Sequence, residues 1–154
     1  MPYEMDGMGA YPHLSEMTDV AIDILSNDPD GFFLMVEGGL IDVACAGSDL
    51  ARTIPEVLEF ETAVDVAMDW AAGRDDTLIL VLGDHETGGL WVKAETPEGT
   101  LPTVAWTSGG QHTAAFAASA ARAHPSQERP RSISSRIGRS SFMIATMCRD
   151  LLST

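Results

Sequence analysis

Phe32-Phe33-Leu34-Met35-Val36-Glu37-Gly38-Gly39 is the stretch on which the reading of the fold turns. Its apolar residues run without a break, with Asn27-Asp28-Pro29-Asp30-Gly31 before them and an acid and two glycines after. A short continuous apolar run bounded by turn residues reads as a strand buried on both faces, as in a parallel sheet. The pattern recurs at Thr77-Leu78-Ile79-Leu80-Val81-Leu82, which stops at Gly83-Asp84-His85-Glu86-Thr87-Gly88-Gly89.

Helical spacing lies on either side of the first run. Upstream, Ser15 is placed to cap a helix whose buried face holds Met17, Val20, Ala21, Ile24 and Leu25. Downstream, a second helix is expected from near Ser48 or Thr53 to about Ala72, with Val57, Phe60, Ala63, Val64, Ala67, Met68 and Ala71 as its apolar stripe. Pro55 then belongs in the first turn, where its missing N–H costs nothing. Residues 90–94 and 103–107 read as two more short strands, the Ala-rich 113–123 leans helical, and the Pro/Arg/Ser-rich 124–141 is loop-like or disordered. Helix, strand, helix, strand is an α/β order, whose site is expected at the carboxyl ends of the strands.

Composition narrows the function. The 154 residues carry 23 Asp+Glu against 9 Lys+Arg, for a formal net charge of -14. Neutralising nucleic-acid phosphates needs clustered Lys and Arg, so a nucleic-acid binder is excluded, and an anionic membrane surface is disfavoured for the same reason. No apolar run approaches the roughly 18 residues of a membrane span. The start, Met1-Pro2-Tyr3-Glu4-Met5-Asp6, has neither the basic nor the apolar part of a signal peptide. The charge is divided along the chain: residues 1–100 hold 21 acids and 3 bases, whereas 101–154 hold 2 acids and 6 arginines. Cys45 and Cys148 are too few to fix a redox compartment.

Five side chains are candidate metal ligands. Glu37 follows the first strand, Asp42 lies five residues on, Asp84 and His85 follow the second strand, and His112 follows Gly109-Gly110-Gln111. Carboxylates and imidazoles meeting at a sheet edge suit Zn²⁺, and a carboxylate with waters suits Mg²⁺. Singly, each is as well read as a turn residue, a cap or a solvated acid.

The motifs together carry more. Val36-Glu37-Gly38-Gly39-Leu40-Ile41-Asp42, then Leu82-Gly83-Asp84-His85-Glu86-Thr87-Gly88-Gly89, then Trp106-Thr107-Ser108-Gly109-Gly110-Gln111-His112-Thr113 resemble, in that order, the C-terminal part of the alkaline phosphatase catalytic domain. The resemblance covers residues 14–113. It implies a partial alkaline-phosphatase-like sandwich, with a mostly parallel central sheet flanked by helices. It implies that Glu37 binds Mg²⁺, that Asp42 and His112 bind one zinc, and that Asp84 and His85 bind a second. It implies a phosphate monoester substrate, a protein that is often homodimeric, and a periplasmic, extracellular or surface-anchored location.

Departures from the family pattern qualify these expectations. Ala46 stands where the family has a further zinc-binding His, Val43 where many relatives have His, and Leu40 where Arg is common. No stretch matches the Asp-Ser nucleophile motif, so no catalytic residue is assigned and the chain reads as a fragment lacking the serine. Residues 1–113 are expected to be the family part. Residues 114–154 are expected to be a divergent tail. That tail is either read in a shifted frame or a helical terminus with Phe142, Met143, Ile144, Met147, Leu151 and Leu152 on one face. Strands 32–36 and 77–82 are expected to expose apolar edges that invite pairing, leaving the isolated chain marginally stable.

Overall fold

The computed structural model describes residues 1–94, 96–110, 112–123 and 141–146. Its elements are α1 (Leu14–Leu25), β1 (Phe33–Glu37), α2 (Gly39–Ala46), α3 (Leu50–Ala71), β2 (Thr77–Thr87), β3 (Leu90–Ala94), β4 (Thr103–Trp106), β5 (His112–Ala123) and β6 (Ser141–Thr146), after a single 3₁₀ turn at Glu4–Asp6. This is the expected α/β fold. The larger sheet has the order β1-β6-β2-β5, and β3 pairs with β4 in a separate ribbon. β6 lies parallel to both β1 and β2, β5 runs antiparallel to β2, and β3–β4 is antiparallel, so the sheet is mixed among the described residues.

α1 begins two residues earlier than the Ser15 cap implies. His13 is the N-cap, its backbone N–H donating to Glu16 Oε2 at 2.9 Å. Ser15 lies inside the helix, and its N–H is satisfied by Glu59 Oε1 of α3 at 2.7 Å. The helix is also rotated from the expected face. Thr18 and Ile22 are buried, whereas Met17, Val20 and Ile24 face outward. A threonine can face the core because its hydroxyl donates to the Leu14 carbonyl at 2.8 Å, which removes the cost of an unpaired buried O–H.

α3 starts at Leu50, capped by Asp49, whose side chain accepts from the Arg52 N–H at 3.1 Å. Pro55 therefore lies in the second turn, not the first, and removes one hydrogen bond from the helix interior. The stripe predicted for this helix is largely the one it buries: Val57, Phe60, Ala63 and Ala67 are core residues. Phe60 packs with Ile41, Cys45 and Val57, and Ala67 packs with Ile22 and Ile79. These two clusters clamp α3 between α1, α2 and β2.

β1 is not buried on both faces. Val36 is buried, but Phe33 and Met35 are 59% and 60% exposed. β1 lies at the end of the sheet order and one of its apolar faces is open, whereas residues 77–82, also expected to expose an edge, are flanked in β2 by β6 and β5. The Ala-rich segment after His112 is a strand, not a helix. Twelve residues of β5 lie against β2, from Leu78↔Ala123 to Thr87↔His112, and such long-range pairing overrides alanine's helix propensity. The helical reading of Phe142, Met143 and Ile144 fails likewise, because they belong to β6. Residues 124–140 of the loop-like stretch, and Met147, Cys148, Leu151 and Leu152, lie outside the described residues.

A polar clasp ties the N-terminal segment to α3. Glu4 N–H donates to Glu56 Oε1 at 2.8 Å, Arg52 bridges Asp6 and Asp49, and its guanidinium lies 5.0 Å above the Tyr3 ring. His13 Nδ1 is 2.8 Å from Glu4 Oε2. The hydrogen bond and charge of Glu4 hold the His13 ring above its ordinary pKa of 6.5. A raised folded-state pKa contributes stability that is complete below pH 6.5 and is lost as pH rises through the raised value. An NMR titration is expected to place the His13 midpoint above 6.5 in the native chain and lower in Glu4→Gln.

Candidate metal centre

α2 carries Asp42 to the sheet. Gly38 precedes it in close quarters, where an added Cβ would meet Ile41 Cδ1 and Phe60 Cδ2 at 2.9 Å each. Ile41, Ala44 and Cys45 fix one side of the helix in the core. Asp42 is left half-buried on the side towards β2. The C-terminal end of α2 abuts the turn that leads to His112. Gly110, at φ +80°, sits so close to the Ala46 carbonyl that any side chain there would collide with backbone.

β2 runs on through the presumed turn to Thr87, so Asp84 and His85 lie inside a strand and do not follow it. The register against β5 shifts between Gly83 and His85 and again between His85 and Thr87. Such bulges re-aim side chains next to functional sites. Here Asp84, which ordinary alternation would turn away from His85, brings Oδ2 to 3.3 Å from His85 Nε2. Its Oδ1 also accepts from the His85 backbone N–H at 3.0 Å.

The three elements meet at one place. Donor atoms of Asp42, His85 and His112 all lie within 4.8 Å of one another. His112 Nε2 is 3.1 Å from Asp42 Oδ1, and His85 Nδ1 is 4.0 Å from the same oxygen. The two imidazoles are stacked, with centroids 3.6 Å apart and planes inclined by 22°. Thr87, 1% exposed, donates its hydroxyl proton to Asp42 Oδ1 and lies 3.0 Å from His85 Nδ1.

Of the five ligands expected from sequence, the structure brings Asp42, His85 and His112 together, with Asp84 beside His85. Glu37, the exposed last residue of β1, is not among the converging donors. Sequence reading gave Thr87 no role. The signal was there in the two-residue spacing of His85 and Thr87, which puts both side chains on one face of a strand.

The donor set suits a transition-metal ion. Two ligands at about 2.0–2.2 Å from a tetrahedral zinc are about 3.4 Å apart, so pairs separated by 3.1 Å and 3.3 Å need little adjustment. One carboxylate and one imidazole in each pair match borderline-soft Zn²⁺.

Comparison with known proteins follows the same lines. A family model described as Alkaline phosphatase matches residues 1–134. The chain belongs to the alkaline phosphatase family. Alkaline phosphatase 3 of Bacillus subtilis is 40% identical over 95 residues, which are 62% of this chain and 21% of that protein. The solved alkaline phosphatase of the Antarctic bacterium TAB5 superposes with a TM-score of 0.68 at 28% identity, covering 94% of this chain and 40% of that one. A variant of the TAB5 enzyme, with Mg bound in its M3 site, superposes at 0.69, also at 28% identity and the same coverage. The chain thus spans about a fifth of the Bacillus alkaline phosphatase's length.

Proposed function

We propose that this chain carries the metal-facing part of a phosphate monoester hydrolase, and that by itself it binds divalent cations without turning substrate over. The convergence of Asp42, His85 and His112 from α2, β2 and β5 is the observation that carries this reading. Alkaline phosphatase family membership supports it, as does the Mg-bound TAB5 relative.

In this reading Asp42 and His112 hold one zinc, Asp84 and His85 hold a second, and Glu37, at the end of β1, takes Mg²⁺ with waters. Zinc ions held there would supply Lewis acidity, neutralising charge on a transferring phosphoryl group and lowering the pKa of a bound oxygen nucleophile. The chain's own part is to present carboxylates and neutral imidazoles at fixed spacing, from elements anchored in the core. In the whole domain the mixed sheet seen here would be extended into a mostly parallel one, and a further layer would cover the open Phe33 and Met35 face.

Two sequence features argue that the chain alone is not catalytic. No stretch matches the family's Asp-Ser nucleophile motif, and Ala46 leaves the Asp42 site one imidazole short. The test is hydrolysis of p-nitrophenyl phosphate by the 154-residue chain with Zn²⁺ and Mg²⁺ supplied. Background rates are expected; turnover that chelation abolishes would overturn the inactive reading.

Ala46 offers a gain-of-function check. It is exposed, one helical turn after Asp42 on α2, and therefore on the same face. Ala46→His is expected to tighten zinc binding by at least about tenfold, the lower end of what even an outer-sphere partner contributes. Competition titration against a chromogenic chelator measures it. An unchanged affinity would show that position 46 does not reach the Asp42–His112 pair.

A further inference from the structure

We infer that Thr87 is a positioning residue that fixes which nitrogen of His85 is free and so divides the acidic-imidazole cluster into two cation sites. The inference rests on the metal-binding reading above and deepens it.

The reasoning starts from proton count. A threonine hydroxyl has one proton to give and two lone pairs to receive. The Thr87 hydroxyl faces two groups, Asp42 Oδ1 and, at 3.0 Å, His85 Nδ1. A carboxylate can only accept, so the single proton goes to Asp42. The hydroxyl oxygen must then accept from His85, which requires the proton of a neutral ring to be on Nδ1. That leaves the Nε2 lone pair facing Asp84 Oδ2 at 3.3 Å.

Two consequences follow. First, Nδ1 is spent, so His85 cannot join Asp42 and His112 around one ion although its Nδ1 lies 4.0 Å from Asp42 Oδ1. Second, Nε2 and Asp84 Oδ2 face each other as two acceptors, an arrangement that a cation between them relieves. The cluster therefore resolves into the pair Asp42–His112 and the pair His85–Asp84, joined through one hydroxyl. Orienting partners of this kind typically contribute about 10–100-fold to metal affinity. Thr87 is 1% exposed, so no water substitutes for its hydroxyl without a cavity.

The test uses the full chain and zinc alone. In the metal-free protein, ¹⁵N–¹H correlation spectra of the neutral His85 ring are expected to show the proton on Nδ1. Thr87→Val, close to isosteric, is expected to return the ring to the Nε2–H form and to weaken zinc binding about 10–100-fold. Thr87→Ser, which restores the hydroxyl, is expected to recover both. An Nε2–H ring in the unaltered chain overturns the inference whether or not the valine variant folds. Unchanged zinc affinity in a folded Thr87→Val chain overturns it too. If the unaltered chain binds no zinc, it is the metal-binding reading that falls, while the tautomer measurement still decides the role of Thr87.

Discussion

Replacing Asp42 with alanine is expected to remove one of two bound zinc ions and to weaken the other without removing it, because Thr87 loses the acceptor that orients its proton. Asp42 is the only carboxylate within 4.8 Å of both imidazoles in the converging group, and its Oδ1 is 3.1 Å from His112 Nε2. Loss of an outer-sphere partner costs about 10–100-fold, and loss of a direct ligand costs at least as much. The pair at Asp42 already lacks an imidazole at Ala46, so His112 alone would remain. Equilibrium dialysis against saturating zinc is expected to show the bound count fall from two to one in Asp42→Ala. The side chain is half-buried in the first turn of a short helix and outside both core clusters, so the fold should survive.

The second large effect is on stability. Phe60 is 1% exposed and packs with Ile41, Cys45 and Val57, with Leu14, Val64, Val81 and Trp106 around them. Its ring therefore joins α1, α2, α3, β2 and β4. Truncating a buried phenylalanine to alanine costs about 3–5 kcal/mol, from lost burial and the cavity left behind. A chain with an open apolar face on β1 has little to spare, and Phe60→Ala is expected to abolish the cooperative thermal transition or lower its midpoint steeply. The site should suffer with the fold, because Ile41 and Cys45 on the same cluster hold the helix that presents Asp42. Circular dichroism melts of the two chains measure it, and a shift of only a degree or two would show that the cluster is not the core.

How far the sequence revealed this arrangement depends on the element. The α3 stripe was plain because Val57, Phe60, Ala63 and Ala67 keep helical spacing over about three turns and bury as that spacing implies. β2 was visible as an apolar run, but its far end was not. Gly83 and Asp84 look like a turn locally, and only pairing with β5 keeps the backbone extended to Thr87. α2 was missed because its start carries two glycines, Gly38 at the cap and Gly39 at the first position. At a helix start, glycine's freedom costs little, and Ile41, Ala44 and Cys45 supply the burial that propensity lacks. The α1 face was misjudged because the apolar Met17, Val20 and Ile24 are exposed, while the core takes Ile22 and Thr18, whose hydroxyl is satisfied one turn back.

The site shows the same division. The identities of Asp42, Asp84, His85 and His112 as ligand candidates came from motif order and residue chemistry. Their convergence could not, since it depends on the unseen α2 and on bulges at Gly83–His85–Thr87. The direction of the His85 ring was further still from the sequence, because it depends on a hydroxyl proton that Asp42 draws away.

Zinc titration of the unaltered, metal-free chain, read as ions bound per molecule, tests the central claim most directly. Two ions per chain are predicted, one lost in Asp42→Ala and the other in Asp84→Ala. No binding above a chain with His85 and His112 both replaced would contradict the account. So would a single ion whose loss follows equally from changing Asp42, His85 or His112.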